Sequence, residues 1–194
     1  MESAQAGLYR QAGLYRIEPL GKQHDRDVFQ CGVESLDNYL KTQASQDMRR
    51  KANAVFVLVP DRAPGTIAGY FTLCACGLAP GTIPEEASKH LPRYPQVSAT
   101  LLGRLAVKVE LQGRGLGSVL LAEALRKAYG NAAVVGSSMV VVDAIDERAA
   151  EFYRVHGFIH LPESMRLVLP MRSLGGLVGV SSRAERAFGP TPVG

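Results

Sequence analysis

A chain of 194 residues, 46% hydrophobic and 21% charged, suits one soluble globular domain with a sizeable core. Its uncharged apolar runs, such as Ala54 to Val59 and Met139 to Val142, are far too short to span a bilayer. The N-terminus lacks a basic-then-apolar signal pattern, so no membrane partner and a cytoplasmic location are expected. The net charge of +4 permits a polyanionic partner without demanding one.

The chain opens on a direct repeat, with Gln5 to Arg10 and Gln11 to Arg16 both reading QAGLYR. Two copies are too few for a repeat architecture. Residues 1–13 are expected to be loose, and the second copy to lead into a strand, Leu14 to Pro19. Phe29-Gln-Cys-Gly32 signals a turn. Ser35 is placed to cap a helix whose apolar positions Leu36, Tyr39, Leu40, Ala44 and Met48 recur at helical spacing as far as Arg50. Ala54 to Pro60 and Ile67 to Leu78 read as a strand hairpin around a turn at Asp61 to Gly65. Prolines 80, 84, 92 and 95 mark a loop, with one short helix at Glu85 to His90.

Ala99 to Val107 is a third core strand, followed by a Gly-rich turn and a helix from Ser118 to Tyr129. A buried strand, Met139 to Ala144, precedes a helix capped by Asp146, running to His156 and ended by Gly157. Met165 to Met171 is the last strand. From Ser173 to Gly194 the composition turns to Gly, Ser, Val and Pro without periodicity, which predicts a flexible tail and leaves 14–172 as the domain. The order predicts an α/β fold, a mixed sheet with helices packed on its faces. Cys31, Cys74 and Cys76 include no CxxC pair, and His24, His90, His156 and His160 show no ligand spacing. Packing roles, and no metal, are expected for them.

One segment carries chemistry. Leu105 to Val107 ends a strand, a short loop follows, and Gly113, Gly115 and Gly117 open a helix. Backbone N–H groups at a helix start have no intrahelical partner and lie at the positive end of the dipole, so the turn suits a phosphate. The glycines let the backbone approach it closely, and Arg114 adds charge. The mid-chain position after a hairpin disfavours a Rossmann site, and the absence of a following Lys-Ser/Thr excludes a Walker loop.

Gln112-Gly-Arg-Gly-Leu-Gly117 resembles the Q/R-x-x-G-x-G/A signature of GNAT acetyltransferases. Val140-Val-Val-Asp-Ala144, Ala149-Ala-Glu-Phe-Tyr153 and Gly157-Phe158 resemble the strand and helix that follow it in that family. The resemblance implies the GNAT fold: a mixed, twisted central sheet with a splayed strand pair and helices on both faces. It implies acetyl-CoA as cosubstrate, held by Leu105, Ala106, Val107, Gln112, Gly113, Arg114, Gly115, Leu116, Gly117 and Ser118. Tyr153 becomes the general acid facing the sulfur, and a backbone N–H near Val107 the support for the oxyanion. A phenol of pKa about 10 is protonated at neutral pH and can donate. Glu110 is a candidate base that reads equally as a solvated charge.

A narrower likeness covers residues 14–172. Phe29-x-Cys-Gly, Leu36-Asp-x-Tyr-Leu40, Gly69-Tyr-Phe-Thr-Leu73, Leu91-Pro-Arg-Tyr-Pro95 and Leu101-Leu-Gly-Arg-Leu-Ala-Val107 are similar to the TacT/AtaT-type GNAT toxins. That likeness implies acetylation of the amino group of aminoacyl-tRNA and a block of translation. It also implies a ribbon-helix-helix antitoxin, DNA bound only through the antitoxin complex, and a homodimer. Arg93, Arg49 and Arg104 are then candidates for tRNA phosphate contact, with Lys22 and Arg26 behind them, and Arg104 could equally pair with a carboxylate. Two other readings fit the same residues: an acetyltransferase acting on a small amine or a protein N-terminus, and a non-catalytic CoA-binding protein.

Overall fold

A computed structural model describes residues 14–89, 91 and 94–175. Seven strands form one sheet in the order β1-β2-β3-β4-β5-β7-β6. They are β1 (Tyr15–Pro19), β2 (Ala54–Pro60), β3 (Gly69–Leu78), β4 (Val97–Val107), β5 (Met139–Asp143), β6 (Ile159–His160) and β7 (Arg166–Pro170). All neighbours run antiparallel except β4 and β5. The helices are α1 (Glu34–Asn38), α2 (Ala44–Arg49), α3 (Glu85–Ser88), α4 (Leu116–Val135) and α5 (Glu147–Val155).

Period-two alternation distributes the apolar side chains to two faces. Phe56, Leu58, Phe71, Val140, Val142 and Leu167 pack with α4 and α5 in one cluster. Val55, Val57, Val59 and Tyr70 face the other way, against Leu40 and Ala44 of the first helical segment. On that same side Met139, Val141 and Val168 pack with Ala87 of α3. The approach of β3 to α4 depends on Gly69, where a Cβ would lie 2.7 Å from Leu120 Cδ1 and 2.8 Å from the Ala106 carbonyl oxygen.

Two irregularities in β4 shape the site. Its parallel pairing with β5 runs only from Ala99↔Met139 to Leu102↔Val142. In the next step the register with β3 slips: Leu73 pairs Leu102, but Thr72 pairs Arg104. Gly103 is the extra residue of a β-bulge, which bends its strand locally. From there β4 stays with β3 and parts from β5, so the expected splay is present.

Several expected boundaries move. The first helix starts at Glu34 rather than after a Ser35 cap, because Val33 holds the N-cap position without a side-chain bond and Asp37 Oδ1 accepts the Cys31 N–H at 2.8 Å. The long helix expected there is broken by a π-helical turn at Tyr39–Gln43, which fits an extra residue into the winding while Tyr39, Leu40 and Ala44 stay buried. Helix α4 continues to Val135, since Gly130 is tolerated inside a helix and the stop comes at Gly136 with φ +69°. The short strand β6 had no periodic signal, being two residues long. The core reaches past Arg172, because a 3₁₀ turn at Met171–Leu174 buries Leu174. Residues 1–13 and 176–194, including most of the expected tail, lie outside the described residues. Among the described residues no helix is long and apolar enough to cross a membrane.

Candidate active site

Where β4 leaves β5, a cleft of about 640 Å³ opens on the α4/α5 face of the sheet. Leu105 and Val107 form its wall, the turn from Gln112 to Ser118 its floor, and Asp146, Ala149, Phe152 and Tyr153 of the α5 region the opposite side. The sequence motif and the α5 tyrosine, more than thirty residues apart in the chain, thus meet in one cavity.

The floor is built by backbone conformation. A 3₁₀ turn at Val109–Leu111 leads in, Gly113 and Gly115 adopt φ +73° and +79°, and α4 begins at Leu116 with Gly115 as N-cap. At both glycines the space a Cβ would enter is open; the positive φ, not crowding, selects glycine here. Among the described residues the N–H groups of Gly113 to Gly117 find no backbone acceptor, the first such bonds coming from Ser118 and Val119 to the Gly115 carbonyl. A run of open N–H groups at the positive end of a 20-residue helix is a built anion cradle.

The wall follows from strand geometry. Lys108 N–H bonds the Ala68 carbonyl at 2.9 Å, and Val107 stands opposite Gly69. In an antiparallel ladder this makes Val107 a non-hydrogen-bonded pair, whose N–H and C=O point away from β3. The Val107 carbonyl accepts from Gln112 Nε2 at 3.0 Å. Its N–H, and by alternation both polar groups of Leu105, face the gap where β5 would have continued.

Gln112 itself is a brace. Besides the Val107 carbonyl its Nε2 reaches the Cys31 carbonyl at 2.8 Å, tying the turn to the loop before α1. This is why Cys31, Gly32 and Val33 also line the cleft, a contribution that sequence alone signalled only as a turn.

Tyr153 is buried, with ring contacts to Phe152 at 5.2 Å and Phe158 at 5.4 Å. Among the described residues no protein group hydrogen-bonds its hydroxyl, although the residue lines the cleft. Burial alone pushes its pKa up to about 12, because the apolar surroundings penalise the phenolate. The phenol is therefore protonated throughout the physiological range.

The remaining expected residues divide. Leu116, Gly117 and Ser118 line the cleft. Ala106 does not: its side chain is buried on the opposite face beside Tyr70, and its backbone belongs to the β3 side, since alternate residues of β4 turn opposite ways. Arg114 is exposed at the turn. Arg104 pairs with no carboxylate among the described residues; its guanidinium lies 3.5 Å from the Tyr39 ring centroid on the face away from the cleft, a cation–π contact. Arg49 is exposed at the end of α2, and Arg93 lies outside the described residues. Glu110 is a solvated charge paired with Lys108 at 3.1 Å. Asp146 caps α5 through the Ala149 N–H at 2.7 Å. His24, expected to pack, is buried with Nδ1 accepting from the Gly21 N–H and Nε2 on Glu18.

Residues 52–160 match the model of the acetyltransferase (GNAT) domain family. A tRNA-acetylating toxin of Mycobacterium tuberculosis is 32% identical over 156 residues, spanning 80% of this chain and 91% of that protein. Among solved structures, the toxin AtaT in complex with acetyl-methionyl-tRNAfMet superposes with a TM-score of 0.77 at 30% identity, covering 84% of this chain and 98% of that one. A mutant of AtaT bound to acetyl-CoA and to the C-terminus of its antitoxin AtaR gives 0.71 at 28% identity, over 84% and 97% of the two chains.

Proposed function

The chain belongs to the GNAT acetyltransferase family, and on that footing we propose that it is a toxin which acetylates the amino group of aminoacyl-tRNA at the expense of acetyl-CoA and so blocks translation. The observation that carries the reading is the meeting, in one cleft, of an open N–H cradle at Gly113 to Gly117 with a protonated, unpartnered tyrosine. The relatives supply the acceptor: one is a tRNA-acetylating toxin and another was solved with acetyl-methionyl-tRNAfMet.

The cleft fits the cofactor by its own chemistry. The N–H groups of Gly113 to Gly117 suit a pyrophosphate, with the exposed Arg114 beside them. Leu105 and Val107 turn free backbone groups to the gap, an edge on which an amide-bearing arm would continue the ladder. When bound, acetyl-CoA supplies an activated acetyl group on sulfur. The Val107 N–H is placed to donate to a carbonyl oxygen as it gains charge. Tyr153 Oη holds a proton for a sulfur leaving group. An aminoacyl amine is less basic than an ordinary alkylamine, so a neutral fraction exists near pH 7 and no strong base is required of the protein.

For the tRNA, the exposed Arg49 and Arg93, beside prolines 92 and 95 in the sequence, suit sequence-independent phosphate contact. Arg104, stacked on Tyr39, serves first to hold the helical segment to the sheet. The protein would act in the cytoplasm, where charged tRNA is, under the control of an antitoxin and as a homodimer. The test is to incubate the protein with labelled acetyl-CoA and a charged tRNA pool. Label on charged but not on deacylated tRNA, lost with Tyr153→Phe, is the expected result; unlabelled RNA from protein that binds CoA would redirect the reading to small amines.

A further inference from the structure

Ser118 lines the cleft three residues after the N-cap of α4. Its Oγ lies 3.0 Å from His156 Nε2, while His156 Nδ1 lies 2.7 Å from the Phe152 carbonyl oxygen. A carbonyl oxygen only accepts, so Nδ1 carries a proton in that contact. A neutral imidazole has a single N–H. Nε2 is then bare, and the Ser118 hydroxyl directs its one proton to it. In this state Ser118 turns lone pairs, not a donor, toward the cleft.

A phosphate oxygen is also an acceptor. Three contacts in line, from Phe152 O to Nδ1, from Nε2 to Oγ and from Oγ to a phosphate oxygen, require three protons. Neutral His156 and Ser118 supply two. We propose that binding of the cofactor's phosphates against Ser118 is coupled to uptake of one proton from solvent by His156. The imidazolium then donates at both nitrogens, and Ser118 is released to donate to the anion. The inference rests on reading the cleft as the CoA site. His156 is a positioning residue, acting through Ser118, and its ring is fixed by Phe152, whose side chain packs on it at 4.5 Å between centroids.

Other charges on the elements meeting there are engaged elsewhere or solvated. On α5, Arg154 is held by Glu147 and by Glu151. On α4, Glu123 holds Arg126. Arg114 and Arg148 are exposed. His156 makes no ion pair among the described residues, so the missing proton must come from solvent. Because the bound form holds one more proton than the free form, affinity for CoA declines as pH rises.

The test is calorimetric titration of CoA into the protein at mildly alkaline pH, in buffers of different ionisation enthalpy, which reads protons taken up per cofactor. CoA titrates too, so wild type is compared with Ser118→Ala and with His156→Gln, whose amide can rotate to donate without gaining a proton. The expected uptake in wild type exceeds that of both variants by close to one proton; equal uptake in all three overturns the coupling. Failure of the wild type to bind CoA overturns the site reading itself, and the coupling with it. A readout needing no variant is the nitrogen spectrum of the His156 ring: both nitrogens should appear protonated once CoA is added, and a ring that stays singly protonated refutes the proposal.

Discussion

Replacing Tyr153 with Phe separates a group held for chemistry from one held for the fold. The hydroxyl bonds to nothing in the protein among the described residues, so near neutral pH its removal should change stability by less than about 1 kcal/mol, because no partner is orphaned. Activity should fall by roughly 10²- to 10⁴-fold, the usual contribution of a positioned acid. Alkaline stability adds a second, signed expectation. The folded-state pKa of about 12 stands above an unfolded value near 10, so the stabilisation is fully present below pH of about 10 and is lost as pH rises through about 12. A two-unit shift corresponds to about 3 kcal/mol in total, of which roughly half is lost by pH of about 11. Tyr39 and Tyr70, also raised by burial, are present in both proteins and cancel in the difference. Urea denaturation of wild type and variant near neutrality and near pH of about 11 would measure it, with the variant gaining on the wild type at the higher pH. A variant that loses more than about 2 kcal/mol at neutral pH, or whose difference from wild type does not move with pH, would refute the claim that the phenol is unpartnered and protonated in an apolar wall.

Gly115→Ala should weaken CoA binding by about tenfold, since a left-handed residue bearing a Cβ costs about 1–2 kcal/mol at φ +79°; Gly115→Asn, a residue that tolerates this region, should be milder, and titration calorimetry would rank the two. Gly69→Ala should destabilise the fold by about 1–3 kcal/mol through overpacking, as the new Cβ meets the Ala106 carbonyl oxygen at 2.8 Å. Adding Leu120→Ala should not rescue it in thermal melts, because the second obstacle is backbone.

The parts of the fold written in local composition were legible in the sequence. Val55, Val57 and Val59 alternate visibly and Gly113, Gly115 and Gly117 announce their turn, so the strands and the cradle could be placed from residues alone. Asp146 announced its helix in the same way. The π-helical turn at Tyr39–Gln43 could not be read, because its apolar positions satisfy an ordinary helical period nearly as well. Ala106 was expected at the cofactor because continuity along Leu105 to Val107 says nothing of which way each residue turns. Gln112 resembled a ligand contact, yet its amide is used on Cys31, 81 positions away in the chain. The pairing of Ser118 with His156, separated by 38 positions, depends on how α5 crosses α4, which no local pattern encodes.

The bulge at Gly103 sets a reading frame. Leu102 points to the α4/α5 face, so an unbroken strand would have sent residues 104 and 106 to that face as well, lining the cofactor wall with an arginine and an alanine. One inserted residue moves the phase by a single step: Leu105 and Val107 come to the cleft, and Arg104 to Tyr39 on the far side. Deleting Gly103 would set Arg104 directly after Leu102, and plain alternation would then keep both faces as they are. What would be lost is the bend: a regular ladder would draw the strand back toward β5 and close the gap that admits a cofactor.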